Sequence, residues 1–82
     1  MMGKLTLDII SPEESLFRGE VDSVSLPGGQ TPFTVLPGHA AIISSLERGV
    51  VKYSVSGETV AIEIASGFVK VENDIVNVCI EK

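Results

Sequence analysis

Apolar and polar residues alternate with a period of two through most of this 82-residue chain, and that period belongs to strands with one buried face. Between Lys4 and Ser11, Leu5, Leu7 and Ile9 fall on one side and Lys4, Thr6 and Asp8 on the other. Ser11-Pro12 ends that strand. The segment from Leu16 to Leu26 reads as two short strands, with Gly19 expected at a bulge or tight bend. Pro27 to Pro32 is a loop on turn chemistry, because glycine admits positive φ and proline fixes its own. Phe33 to Leu36 is a short strand stopped by Pro37-Gly38. His39 to Leu46 reads as a strand, although the run Ala40 to Ile43 is too short to separate strand from helical turn.

From Gly49 onward the pattern is regular. Val51, Tyr53 and Val55 alternate against Lys52 and Ser54, a turn follows at Ser56-Gly57-Glu58, and Val60, Ile62 and Ile64 alternate against Ala61, Glu63 and Ala65, which predicts a hairpin. Phe68 to Val71, the turn Asn73-Asp74, and Val76, Val78 and Ile80 predict a second. About 8 to 10 short, mostly antiparallel strands and no helical stretch give an all-β fold, a small β-sandwich. At this length one domain, residues 1–82, is expected.

Composition narrows the function. Eleven acids against six bases give a net charge of −5, with no basic patch to neutralise a run of phosphates, so nucleic acid is not expected as a partner. The same balance disfavours adsorption to an anionic lipid surface and leaves a basic protein surface as an acceptable neighbour. Any membrane association is therefore expected to run through another protein. The charge-free stretch Ser23–Leu46 has the length to cross about 30 Å of bilayer, but Pro27, Pro32, Pro37 and the glycines between them exclude a spanning helix. The start Met1-Met2-Gly3-Lys4 is followed by alternating residues and not by an apolar signal core, so no export is expected. Cys79 is the only cysteine, which excludes an internal disulfide and fits a reducing compartment. A hydrophobic content of 44% and a mean hydropathy of +0.36 fit either a dense core or apolar surface kept for a partner.

Catalytic chemistry has little to work with. His39 is the sole histidine, and a Ser-His-Asp site would have to be built around this one loop residue. A turn or interface role is expected instead. No spacing supports a metal site. Cys79 has no histidine or lysine beside it to activate a thiolate, and it reads as a packed or partly covered structural cysteine. Gly28-Gly29 lacks the Lys-Ser/Thr of a phosphate loop and opens no helix. The acids, Asp22 and Asp74 among them, read as a solvated face. Of Phe17, Phe33, Tyr53 and Phe68, at least three look like core. A biotinyl or lipoyl carrier domain needs a lysine at a hairpin tip, and neither turn has one. No catalytic residue, metal or cofactor is expected.

The strings Val24-Ser25-Leu26-Pro27-Gly28-Gly29, Phe33-Thr34-Val35-Leu36-Pro37-Gly38-His39-Ala40 and Leu46-Glu47-Arg48-Gly49-Val50-Val51 resemble the F-type ATP synthase epsilon family. Members typically show a Leu-Pro-Gly loop, a Phe-Gly-Val-Leu-Pro-Gly-His-Ala segment and Pro-Gly-Val. Ile10-Ser11-Pro12-Glu13, Phe17-Arg18-Gly19-Glu20-Val21 and Ser66-Gly67-Phe68-Val69-Lys70-Val71 fall in the expected order, so the resemblance covers nearly the whole chain. Thr31 and Thr34 stand where the family usually has glycine, Pro32 where an acid is frequent and Arg48 where proline is common. The Pro27–Pro32 loop is therefore expected to differ in shape and charge.

The resemblance implies a non-catalytic subunit of the rotor's central stalk in a bacterial, proton-translocating ATP synthase, coupling c-ring rotation through the gamma subunit to ATP synthesis. It implies a peripheral position on the cytoplasmic side of the inner membrane. By carry-over, Gly28, Gly29, Gln30, Thr31 and Pro32 are expected to face the polar loops of the c-ring, and Pro37, Gly38, His39, Ala40 and Ile42 to contact gamma. Many members continue into a helical hairpin that inhibits ATP hydrolysis and in some binds ATP. Ending at Lys82, this chain alone is expected to lack that brake and that nucleotide site. The competing reading, from another class, is a free-standing β-sandwich adaptor that binds a protein through a sheet edge or the apolar stretch Ala40–Ile43.

Overall fold

A computed structural model describes residues 4–29 and 31–82. Nine strands follow in order: β1 Leu5–Ile10, β2 Ser15–Val21, β3 Ser23–Leu26, β4 Phe33–Val35, β5 Ile42–Leu46, β6 Gly49–Val55, β7 Glu58–Ile64, β8 Ser66–Glu72 and β9 Ile75–Glu81. They form a five-stranded sheet, β2-β1-β9-β8-β5, and a four-stranded sheet, β4-β3-β6-β7, packed face to face as the small β-sandwich expected. Every pairing is antiparallel except β1 with β9. The first and last strands thus lie side by side at the middle of the larger sheet, each with alternate residues buried.

The alternation converts directly into the core. Leu5, Leu7 and Ile9 of β1, Val76, Val78 and Ile80 of β9, Val69 and Val71 of β8, and Val24, Leu26, Val51 and Tyr53 from the other sheet are all buried. Phe17 and Phe33 pack against this cluster, and the Phe17 and Tyr53 rings lie 4.4 Å apart between the sheets. No polar or charged side chain is buried among the described residues. The hairpins β6–β7 and β8–β9 turn on Ser56 and Gly57 (φ 50° and 84°) and on Asn73 and Asp74 (φ 53° and 62°). Two successive positive φ values make the mirror-image turn whose twist matches that of its strands.

Some local expectations are corrected. Gly19 pairs regularly with Leu7; the register shift lies between Ile9 and Ile10. The strand expected over His39–Leu46 begins only at Ile42, and the one expected over Phe33–Leu36 ends at Val35. Along β7 only Ile64 is buried, and Val60 is exposed, because β7 is an edge strand and its inward face extends past the cover of the larger sheet. Cys79 is exposed, on the solvent side of β9 opposite Val78 and Ile80.

Candidate functional site

The described members of the two groups of candidate contact residues lie at opposite ends of the sandwich, joined by β5. Ile42 pairs with Val71 at one end of that strand and Leu46 with Gly67 at the other, a separation of about 13 Å along five extended residues.

At the Leu46 end, Gly28 forms an isolated bridge with Leu46, and the Glu47 N–H donates to the Pro27 carbonyl at 2.8 Å. The loop base is thereby fastened to the β5–β6 corner, closing that flank. Above it, the Thr31 carbonyl and the Phe33 ring close over Gly28, so that a methyl group there would lie 2.6 Å from the Thr31 oxygen and 2.9 Å from the ring. Gly29, Thr31 and Pro32 are exposed. Gln30, the fifth member of the group, lies outside the described residues. On the outer side of the same loop, Ser25 and Thr34 hydroxyls are 3.1 Å apart across β3 and β4.

At the Ile42 end, Leu36-Pro37-Gly38-His39 is a tight turn closed by the His39 N–H to the Leu36 carbonyl at 3.1 Å. Gly38 and Ala40 are exposed, whereas Pro37, His39 and Ile42 are half-buried. The Gly38 N–H donates to Asp74 Oδ1 at 2.7 Å. His39 Nδ1 lies 2.7 Å from the Ala40 carbonyl, an intrasegment contact that engages the imidazole in holding its own loop.

A second acid serves this end. Asp22 accepts Lys4 Nζ at 3.0 Å and the Ser56 N–H at 3.1 Å, clasping the start of β1 and the β6–β7 turn to the β2–β3 corner. The Lys4 ammonium, with the Ser56 amide second, holds the Asp22 carboxyl below its ordinary pKa. Burial pushes the Tyr53 hydroxyl up. Asp22 and Asp74, read from the sequence as solvated acids, therefore fasten turns. The dipeptide Asn73-Asp74 signalled a turn, but nothing local signalled an acceptor for an amide 36 residues away.

Sequence reasoning also missed a surface. On the outer face of the five-stranded sheet the registers align Ile10, Cys79, Phe68 and Ser45 in one row across four strands. Ile43 stands in the next row, opposite Lys70. Phe68 is 65% and Ile43 75% exposed. Beside Phe68 a cavity of about 460 Å³ opens, lined by Ile10, Pro12, Ser45, Leu46, Phe68 and Cys79 among others. This apolar row starts beside the β5–β6 corner and extends along β5 toward Ile42, linking the two candidate groups. Its signal in the sequence was the apolar residues on the polar phase of three strands, namely Ile10, Phe68 and Ile43.

No group of three or more His, Cys, Asp or Glu that could hold a metal occurs among the described residues. The arrangement offers two presented loops and an apolar sheet face, which are means of binding protein surfaces.

Residues 4–82 match the family described as ATP synthase, Delta/Epsilon chain, beta-sandwich domain. The chain is 41% identical over 78 residues to the ATP synthase epsilon chain of Desulfitobacterium hafniense, covering 95% of this chain and 59% of the relative. It is 44% identical over 73 residues to that of Wolinella succinogenes, covering 88% and 56%. The chain thus spans less than two thirds of the length of these curated relatives. Among solved structures it resembles a chain of the Euglena gracilis mitochondrial ATP synthase, OSCP/F1/c-ring in rotational state 1 (TM-score 0.91, 19% identity, 100% of this chain and 54% of that one). It also resembles a chain of the Tetrahymena thermophila mitochondrial ATP synthase central stalk/c-ring (TM-score 0.83, 11% identity, 99% and 66%). At these identities the structural likeness speaks for the fold.

Proposed function

The chain belongs to the ATP synthase delta/epsilon β-sandwich family, and from that premise we propose that it is the sandwich portion of an epsilon subunit acting in the central stalk of a bacterial, proton-translocating F-type ATP synthase. In this reading residues 1–82 act as one body on the cytoplasmic side of the cell membrane, held there only through the complex. They make or break no bond. Gly28, Gly29, Gln30, Thr31 and Pro32 meet the polar loops of the c-ring, while Pro37, Gly38, His39, Ala40 and Ile42 meet gamma, with the Ile10–Phe68–Ile43 face extending the gamma contact.

The observation that carries this reading is the placement of the two groups at opposite ends of β5. A body that transmits torque between two neighbours needs two separate contacts and little compliance between them. Here the path runs along the edge strand β5, hydrogen-bonded over its whole length to β8 in a five-stranded sheet whose other side is close-packed core. Charge is in keeping, since a chain of net charge −5 can approach basic side chains on either partner.

The test is reconstitution. The chain should co-purify with gamma, and with gamma plus c-ring, at low salt, and restore proton-coupled ATP synthesis to complexes lacking their own sandwich. Absence of association with gamma at low salt, or full coupling without the chain, would overturn the assignment.

A further inference from the structure

The turn Leu36-Pro37-Gly38-His39 has a free amide, and one distant carboxylate takes it. Pro37 supplies the fixed φ of the first central position, and Gly38 sits at φ +87°, the positive value that the second central position of a type II turn demands. In such a turn the amide between the central residues points away from the turn's own hydrogen bond, which leaves the Gly38 N–H available to an outside acceptor. Asp74 Oδ1 supplies it at 2.7 Å. Among the described residues this is the only hydrogen bond from Leu36–Ala40 to another element; the other two, from His39 N–H to Leu36 and at His39 Nδ1 to Ala40, stay within the segment. Asp74 is itself firmly placed. It occupies the second position of the β8–β9 turn, and its carbonyl accepts the Thr6 N–H at 2.9 Å, which ties that turn to β1 at the centre of the larger sheet.

We infer that Asp74 is the positioning residue of the Leu36–Ala40 segment: its carboxylate, anchored to the central strands, fixes the turn that presents Pro37, His39 and Ala40 to a protein partner. The inference deepens the proposed function and rests on it, since there the segment meets gamma. A segment already held in its bound shape loses less conformational freedom on docking, so the tether raises affinity without touching the partner.

Two substitutions separate this role from hairpin formation. Asp74→Gly leaves an asparagine–glycine pair, a preferred sequence for a turn of this hand, and deletes the acceptor. Asp74→Asn keeps an oxygen acceptor and tolerance of positive φ, and removes only the charge. Amide hydrogen exchange at Gly38 is measured by NMR on the 82-residue chain, alongside affinity for purified gamma. In Asp74→Gly the Gly38 exchange rate should rise about tenfold and the affinity fall about three- to tenfold, with the melting midpoint kept or raised, the scale expected for loss of one hydrogen bond. Asp74→Asn, which keeps an acceptor and loses the charge assistance, should fall between wild type and Asp74→Gly on both. Unchanged Gly38 exchange in Asp74→Gly overturns the tether. Wild-type binding to gamma matched by Asp74→Gly overturns the positioning role while the proposed function stands, whereas wild-type failure to bind gamma removes the proposed function and the presentation role with it.

Discussion

Asp22 and Asp74 show how a single carboxylate can organise a loop end in a chain with no buried polar or charged side chain among its described residues. Each accepts a backbone amide from a turn far away in sequence, 34 residues for Ser56 and 36 for Gly38, and neither is buried. For Asp22 the consequence is a pH dependence. Its folded pKa is lowered, chiefly by Lys4, so its contribution to stability is fully present above the unfolded carboxylate value of about 3.9 and is lost as pH falls through the lower folded value. Asp22→Asn should melt below wild type at pH 7, and the gap should close as the pH is taken down toward 2. Thermal melts of both proteins across the acid range check this, and a gap that persisted at the acid end would contradict it. Surface exposure and salt screening keep the effect small.

At the scale of elements, the loop from Pro27 to Pro32 is built differently from the hairpin turns. The turns at Ser56-Gly57 and Asn73-Asp74 are two-residue reversals fixed by their own φ values. The loop takes its shape from packing, with the Thr31 carbonyl and the Phe33 ring closed over Gly28 and the Pro27 carbonyl fastened to Glu47. A side chain at position 28 meets backbone at 2.6 Å, closer than any methyl contact allows, and the loop must open. Gly28→Ala should therefore cost about 1–3 kcal/mol and, if the proposed function holds, weaken c-ring association more than gamma association, because the altered loop lies at the end away from Asp74. Chemical denaturation with parallel binding assays on the two partners would show it; equal loss on both would mean that the whole sandwich had shifted. β7 illustrates the opposite limit, where an edge strand keeps its alternation although its inward Val60 stays exposed.

For the whole molecule the core and the apolar outer face should separate cleanly in mutants. Leu7 is fully buried on a central strand, and Leu7→Ala should lower stability by about 2–5 kcal/mol, a large part of the roughly 5–15 kcal/mol typical of a folded domain. Phe68 is mostly exposed, so Phe68→Ser should leave stability within about 0.5 kcal/mol while, under the proposed function, weakening association with gamma. Denaturation midpoints and co-purification, read together, distinguish the two. A Phe68→Ser protein that binds gamma as wild type does would remove the outer sheet face from the interface. The all-β class, the two hairpins and most of the core were legible in the sequence, because a period of two assigns each side chain a face wherever a strand has one side buried. Family motifs likewise marked the two loops. Tertiary structure alone decided that β1 pairs in parallel with β9, that the two loops sit at opposite ends of β5, that Asp74 holds Gly38, and that Cys79 and Phe68 share an exposed row. These facts depend on which strands become neighbours, and strand pairing joins residues whose separation along the chain leaves no local periodicity to read.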